Sequence, residues 1–344
     1  MRRLLMFVLF AVAVTAVAAG ALWYRVTAPY KGYDEAEKFV EVPPRSGPSA
    51  IGRALIDAGI VRDRVTWRLA IELSGAERGL HAGEYRFSEP VSARDVVARL
   101  AKGDVYLRPI TFREGLSIAE MARMFEAQGL GSAAAFTKAA SDASLVASLD
   151  PDAPDLEGYL FPETYGMNRR SSPSTLVRAM VARFEAVFGP ELREAAKARG
   201  MSVREVVTVA SLVEKETAKP DERPMVAAVY RNRLKIGMPL QCDPTVIYGL
   251  QRARRYDGNL TREDLAFDSP YNTYRYPGLP PGPIAAPGRG SLEAAVHPAD
   301  VDYLFFVSRN DGSHIFSRTY EEHRRYVQEY QVRFFDEPGR KVEK

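Results

Sequence analysis

The sequence predicts an α+β protein: one N-terminal transmembrane helix, a small α/β unit, then a mostly helical domain with long loops rich in Pro, Gly and Tyr. Three observations predict this. Residues 4–24 carry no charge, residues 39–105 mix strand alternation with helical periods, and the remainder alternates helical stripes with proline-rich segments. At 344 residues and 46% apolar, the chain is long enough for two domains, each with a buried core. Its formal charge of +3, from 47 basic and 44 acidic residues interspersed, lacks the basic excess of a nucleic-acid binder. Cys242 is the only cysteine, so no internal disulfide forms, and four scattered histidines offer no metal-ligand spacing; no metal or cofactor is implied.

The run LLMFVLFAVAVTAVAAGALWY (residues 4–24) spans about 30 Å at about 1.5 Å per residue, the thickness of a hydrocarbon core. Arg2 and Arg3 precede it and Trp23 and Tyr24 close it, so residues 1–3 stay cytoplasmic and the bulk of the chain lies outside. The rival reading is a cleaved signal peptide, because Ala16-Val17-Ala18 has the small-x-small form of a cleavage site. Apolarity continues past that site to the aromatic pair, which favours the anchor. Either way the folded part is exported.

Residues 25–38 are mixed polar and suit a stalk. In residues 39–105, a strand through Phe39 to Val42 precedes Pro43 and Pro44. A helix over 49–58 ends at Gly59, a second runs through Val65, Leu69 and Leu73, the strand Gly83-Glu-Tyr-Arg-Phe87 alternates, and a helix follows over 92–100. The domain 106–335 opens with a strand through Tyr106 to Arg113 and a helix over 116–125, where Ser117 and Glu120 fit a capping box. Further helices are expected over 132–140, 174–189, 190–199, 203–217 and 222–236. No internal repeat is visible, and the tail 336–344 reads as solvated and disordered.

The chemistry concentrates around the helix 203–217. Val203, Val206, Val207, Ala210 and Val213 form a stripe, and Glu214 sits at its edge, where partial desolvation would suit a general acid. Position alone favours the plainer reading, a half-buried carboxylate paired with Arg231 or Arg233; the surrounding segment shifts the balance. Lys215 and Glu216 fall about 100° and 200° further round and are expected exposed. Downstream, Pro239-Leu-Gln-Cys-Asp-Pro-Thr-Val-Ile-Tyr-Gly249 gathers Gln241, Asp243, Thr245 and Tyr248 near two prolines, with Asp243 also a candidate N-cap. The segment Ser269 to Gly288 adds Tyr271, Asn272, Tyr274 and Tyr276. Amides, hydroxyls and aromatic faces are the groups that hold sugar rings. Leu156-Glu-Gly-Tyr-Leu-Phe-Pro-Glu-Thr-Tyr165 reads as another wall, whose Glu157 and Glu163 are candidate partner carboxylates.

Together, Leu156 to Tyr165, Ala210-Ser-Leu-Val-Glu-Lys-Glu-Thr217, Val229-Tyr-Arg-Asn-Arg-Leu234, Ile236 to Gly249, Tyr271-Asn-Thr-Tyr274, Gly278-Leu-Pro-Pro-Gly-Pro-Ile-Ala285 and Ala294-Ala-Val-His-Pro298 resemble the YceG-like (MltG) family of endolytic murein transglycosylases. They cover most of residues 106–325 in order. The resemblance makes 39–105 a LysM-like unit and Glu214, the first Glu of Val-Glu-Lys-Glu-Thr, the catalytic residue. It also implies nonhydrolytic cleavage of the MurNAc-β-1,4-GlcNAc bond of nascent peptidoglycan, 1,6-anhydro-MurNAc ends, and a terminator of glycan elongation. Cys242 stands where members often have Thr. Candidate substrate binders are Gln241, Thr245, Tyr248, Tyr271 and Asn272. The implied partners are glycan strands, the inner membrane through a single span with the catalytic domain on the periplasmic face, and peptidoglycan synthases. One carboxyl group can serve as acid and then base, so no second is required. A hydrolytic muramidase would need one, with Glu163 or Asp243 as candidates. The third reading is an inert, membrane-tethered glycan-binding scaffold.

Overall fold

The computed structural model describes residues 2–76, 79–168 and 171–334. It divides into two compact units, Met1–Pro109 with Gly166–Arg170, and Ile110–Tyr165 with Ser171–Lys344. Helices form the majority and the sheets are small. The expected tail, 336–344, lies outside the described residues.

The first unit begins with α1 (Arg2–Thr27), whose segment Arg3–Thr27 is long and apolar enough to cross a membrane and has an exposed surface. The next residues do not hang free as a stalk would. Val26 is buried in the unit's core, Arg25 pairs with Asp63, and Tyr30 exchanges backbone hydrogen bonds with Val91 at 3.0 and 3.1 Å. β1 (Lys38–Val42) pairs antiparallel with β2 (Gly83–Phe87), Val40 opposite Tyr85. Between them lie α2 (Pro48–Asp57) and α3 (Arg64–Ser74), and α4 (Ala93–Lys102) follows. Gly59 turns the chain out of α2 at φ +72°, which a side chain would resist. Asp63 caps α3 by accepting the Thr66 amide, and Ser92 caps α4 through the Asp95 amide. The expected helix through Val65, Leu69 and Leu73 forms as α3, but those residues do not define its core face. Its buried face is Thr66, Trp67, Ala70 and Ile71, while Val65 and Leu73 are exposed. The Trp67 indole decides the rotation: it lies against Gly52 and donates to the Pro48 carbonyl at 2.9 Å.

β3 (Arg108–Thr111) pairs with β4 (Thr164–Met167), and the boundary between the units falls within these strands. The second unit continues through α5 (Ile118–Ala127), with the anticipated Ser117/Glu120 capping box, and α6 (Ala133–Ala140). Next come α7 (Pro173–Val187), α8 (Pro190–Ala198), α9 (Val203–Glu216), α10 (Arg223–Lys235), α11 (Asp243–Arg252) and α12 (Arg289–Val296). A hairpin of β5 (Phe305–Ser308) and β6 (His314–Ser317) precedes α13 (Tyr320–Val327) and a π-helical turn, Gln328–Arg333.

α9 is the axis of this unit. Helices α8, α10, α11 and α12 all pack on it, so Val206 through Val213 are buried in succession rather than as the one-sided stripe expected. A second capping box, Ser202 with Glu205, starts it, and Arg204 grips Asp150 with two hydrogen bonds of 2.8 and 2.9 Å. Its last turn carries Glu214.

Candidate functional site

The site is built where three distant segments meet the end of α9. Ser211, one turn before Glu214, accepts the Ile284 amide at 3.1 Å. Ala286 donates its amide to the Leu116 carbonyl at 2.8 Å and accepts from the Gly115 amide at 2.9 Å. Residues 284–288 are thereby laid between the loop 113–116 and α9. The amide of Gly288 then donates to Glu214 Oε2 at 2.9 Å, and the Ser291 hydroxyl, from the first turn of α12, donates to the same oxygen at 2.7 Å.

Glu214 Oε1 faces Arg223 Nη2 at 3.6 Å, and the Glu214 side chain is only 6% exposed. Arg223 Nη2 also donates to Glu114 Oε2 at 3.3 Å, and the Glu114 carboxyl, 45% exposed, is in hydrogen-bond contact with that of Glu214. Burial and the neighbouring Glu214 charge push the Glu114 carboxyl upward, against the pull of Arg223. Two glycines make the approach possible. A Cβ on Gly288 would collide with the Glu114 carboxyl, and one on Gly290 would lie 2.6 Å from Arg223 Nη1. The carboxyl pair opens on a cleft of about 370 Å³ lined by Arg113, Glu114, Gly115, Leu116, Glu120, Glu214 and Lys215. A second hollow, of about 560 Å³, includes Arg223, Arg289, Gly290 and His297, so Arg223 joins the two.

The arrangement departs from several expectations. Neither Arg231 nor Arg233 meets Glu214: Arg231 donates to the Ala299 carbonyl, Arg233 to those of Leu304, Pro239 and Leu240. Lys215 is exposed as expected and reaches the Gly115 carbonyl at 3.2 Å. Glu216 is half-buried, not exposed, because α10 and the residue before α11 cover it: the Tyr230 hydroxyl donates to it at 2.8 Å and Cys242 lies beside it. Burial holds the Cys242 thiol well above its usual range, which leaves it unreactive. Glu163 is tied to Arg183, and Asp243 accepts from the Tyr274 hydroxyl; Cys242, not Asp243, holds the N-cap position of α11, without a side-chain cap.

Most of the expected sugar contacts are internal ties. Thr245 is fully buried, donating to the Cys242 carbonyl and meeting the Thr273 hydroxyl at 2.9 Å. Asn272, also fully buried, donates to the Leu265 and Phe267 carbonyls and accepts the Tyr274 amide. The Tyr248 hydroxyl donates to buried Glu157 at 2.9 Å, and Tyr271 packs edge-on against Tyr248. Glu157 also accepts the Ile118 amide at 3.0 Å, and burial drives its carboxyl up to about 8. It anchors the start of α5, just past the loop that carries Glu114. Gln241 alone of the five is exposed, at φ +51°.

Sequence reasoning missed Glu114, Arg223, Gly288 and Ser291. One signal could have found the last two: Gly288-Arg-Gly-Ser291 sets two residues without side chains just ahead of a hydroxyl at a helix start, a pattern suited to close approach of other groups. Among the described residues, no cluster of His, Cys, Asp or Glu is arranged to hold a metal.

A family model described as the YceG-like family matches residues 40–329. This chain belongs to the YceG-like family. Among its relatives, an endolytic murein transglycosylase of Bacillus subtilis (strain 168) is 32% identical over 307 residues, 85% of this chain and 84% of that protein. An endolytic murein transglycosylase of Streptococcus pneumoniae serotype 2 (strain D39 / NCTC 7466) is 29% identical over 323 residues, of which this chain spans 58% of the length. A crystal structure of a yceG-like protein from Listeria monocytogenes matches with a TM-score of 0.58 and 30% identity, over 85% of this chain and 99% of that one. The YceG-like segment contains every residue of the Glu114–Arg223–Glu214 cluster.

Proposed function

We propose that the protein is an endolytic peptidoglycan lytic transglycosylase in which Glu214 is the catalytic acid and base. The observation that carries this reading is the Glu214 carboxyl, fixed by the Gly288 amide and the Ser291 hydroxyl beside an open cleft, in a chain whose relatives are named for this activity. Protonated Glu214 donates to the glycosidic oxygen as the bond from muramyl C1 breaks. Ionised Glu214 then takes the proton of the C6 hydroxyl, whose oxygen bonds to C1 and closes the 1,6-anhydro ring. Arg223 steadies the charge on the carboxyl as the oxocarbenium-like centre forms and collapses.

A hydrolytic reading needs a second carboxylate at roughly 5–5.5 Å or 6.5–9.5 Å across the sugar. Glu163 and Asp243 are engaged by Arg183 and Tyr274, and Glu114 lies on the same Arg223 nitrogen as Glu214, on one side of the site rather than across it, which favours the single-carboxyl reading. Of the candidate binders, exposed Gln241 and half-buried Tyr271 are the two this reading keeps for glycan, whereas Thr245, Tyr248 and Asn272 act by holding the loops. The helix α1 serves as a single-pass inner-membrane anchor with both units on the periplasmic side, the order β1-α2-α3-β2 supports a LysM-like small unit, and the enzyme terminates growing strands beside their synthases.

The test is digestion of purified sacculi by the full-length protein in detergent, followed by mass spectrometry of the glycan ends. Ends lighter by one water than hydrolytic products are expected, and loss of cleavage with sacculus binding retained in Glu214→Gln. Hydrated ends would make the protein a muramidase; undiminished cleavage by Glu214→Gln would remove Glu214 from the chemistry.

A further inference from the structure

We infer that Glu114 is the positioning partner of Glu214 that stores the catalytic proton: the two carboxyls hold one proton between them, and it resides on Glu114 until glycan arrives. This rests on Glu214 being the acid and base. The site needs a proton source. The partners of Glu214 found here, the Gly288 amide, the Ser291 hydroxyl and the Arg223 guanidinium, hold its carboxyl in place, but none of them is an acid that could supply the proton the first step of cleavage requires. A second carboxyl in contact with it is such an acid. Glu114 is placed for this by the loop 113–116, which the Ala286 backbone clamps on both sides, and by the bare backbone of Gly288 on which its carboxyl rests. Two carboxylates in contact do not both ionise at little cost, and burial together with Glu214 raises the Glu114 group.

The charged groups around the pair are few. Arg223, from the start of α10, contacts both carboxyls; Lys215, from α9, is turned to the Gly115 carbonyl; Arg113 borders the same cleft; and Glu120 is occupied by the Ser117 cap. The proton accounting closes. Glu114 passes its proton to Glu214, which delivers it to the glycosidic oxygen as that oxygen keeps the electron pair of the C1–O bond. Both carboxyls are then ionised, with Arg223 against each. The C6 hydroxyl gives its proton to Glu214 as its oxygen bonds to C1, and the pair again holds one proton.

The test is the pH dependence of turnover for the full-length enzyme on sacculi, with Glu114→Gln and Glu114→Asp. Glu114→Gln removes the store, so the limb on which activity falls with rising pH is expected to move to lower pH by a unit or more. Turnover at neutral pH should fall by about 10- to 100-fold with KM little changed, and recover toward acid pH. Glu114→Asp is expected to lie between Gln and wild type. Gly288→Ala, which expels the carboxyl without removing it, must move the limb the same way, and thermal melting with sacculus binding reports the fold of each. A limb that stays in place in folded variants, with only its height changed, overturns the proposal. Cleavage surviving in Glu214→Gln would instead strike the reading beneath it.

Discussion

The Ser291 hydroxyl donates to Glu214 Oε2 at 2.7 Å from a helix that begins 75 residues later in the chain, and both side chains are shielded from solvent. The bond crosses the packed α9–α12 interface, so helix packing, together with the Gly288 amide, sets the position of the carboxyl. Ser291→Ala deletes it. A hydrogen bond to a charged group is worth about 1.5–3 kcal/mol, so turnover is expected to drop by roughly 10- to 100-fold with little loss of sacculus binding, read as the rate of glycan release.

Gly290→Ala tests the arginine. A Cβ there would lie 2.6 Å from Arg223 Nη1, and the guanidinium, whose Nε is already buried without a partner, has to leave at least one carboxyl to make room. Cleavage should fall by an order of magnitude or more while the melting temperature drops modestly, since the clash is with the end of a side chain. A variant with wild-type turnover would show that Arg223 is dispensable to the carboxyl pair.

The buried Glu157 carboxyl predicts a pH-dependent stability. Its folded value, driven by burial to about 8, lies above the ordinary 4.5, so the folded state holds the proton more tightly. Its contribution is complete below about pH 4.5, declines as pH rises toward 8 and is lost above, at about 1.4 kcal/mol per unit of difference. Thermal melts between pH 5 and 8.5 should therefore show a decline that is flattened in Glu157→Gln, which also starts from a lower melting temperature because one of the Ile118 and Tyr248 donors loses its acceptor. An equally steep decline in the variant would assign the pH dependence elsewhere.

Asp63 both caps α3 and meets Arg25 at the end of α1. Asp63→Ala should cost about 0.5–2 kcal/mol through the lost cap, and Arg25→Ala less than about 1 kcal/mol because the pair is exposed. Denaturant melts of the two variants separate these contributions; an equal loss from both would shift the weight from the cap to the ion pair.

Much of the helical framework was legible because its signals are local. Periodicity placed α2 and α5 through α10 within a few residues, and Ser117 with Glu120 foretold its capping box. The rotation of α3 was not legible: Val65, Leu69 and Leu73 look like a core stripe, and only the fit of Trp67 against Gly52 shows otherwise. In the site, Glu214 was singled out from its helix and from its resemblance to a known motif. Glu114, Arg223 and Ser291 each belong to a different segment, and nothing in local sequence says that 100 residues of chain close to bring Gly115 onto Lys215. The polar residues of the two proline-rich loops were read as ligand contacts, but a loop held against a helix must satisfy its own backbone first, and Thr245 and Asn272 are used for that.

The join between α1 and its unit has a mechanical side. With Val26 sunk in the core, Arg25 held by Asp63 and Tyr30 paired to Val91, no slack separates the apolar helix from the body it carries. A helix that crosses a bilayer leans to match the thickness of the hydrocarbon around it. Were α1 to cross a bilayer, as proposed above, these ties would pass its lean to the small unit, and lipid composition would bear on that unit's angle to the membrane plane.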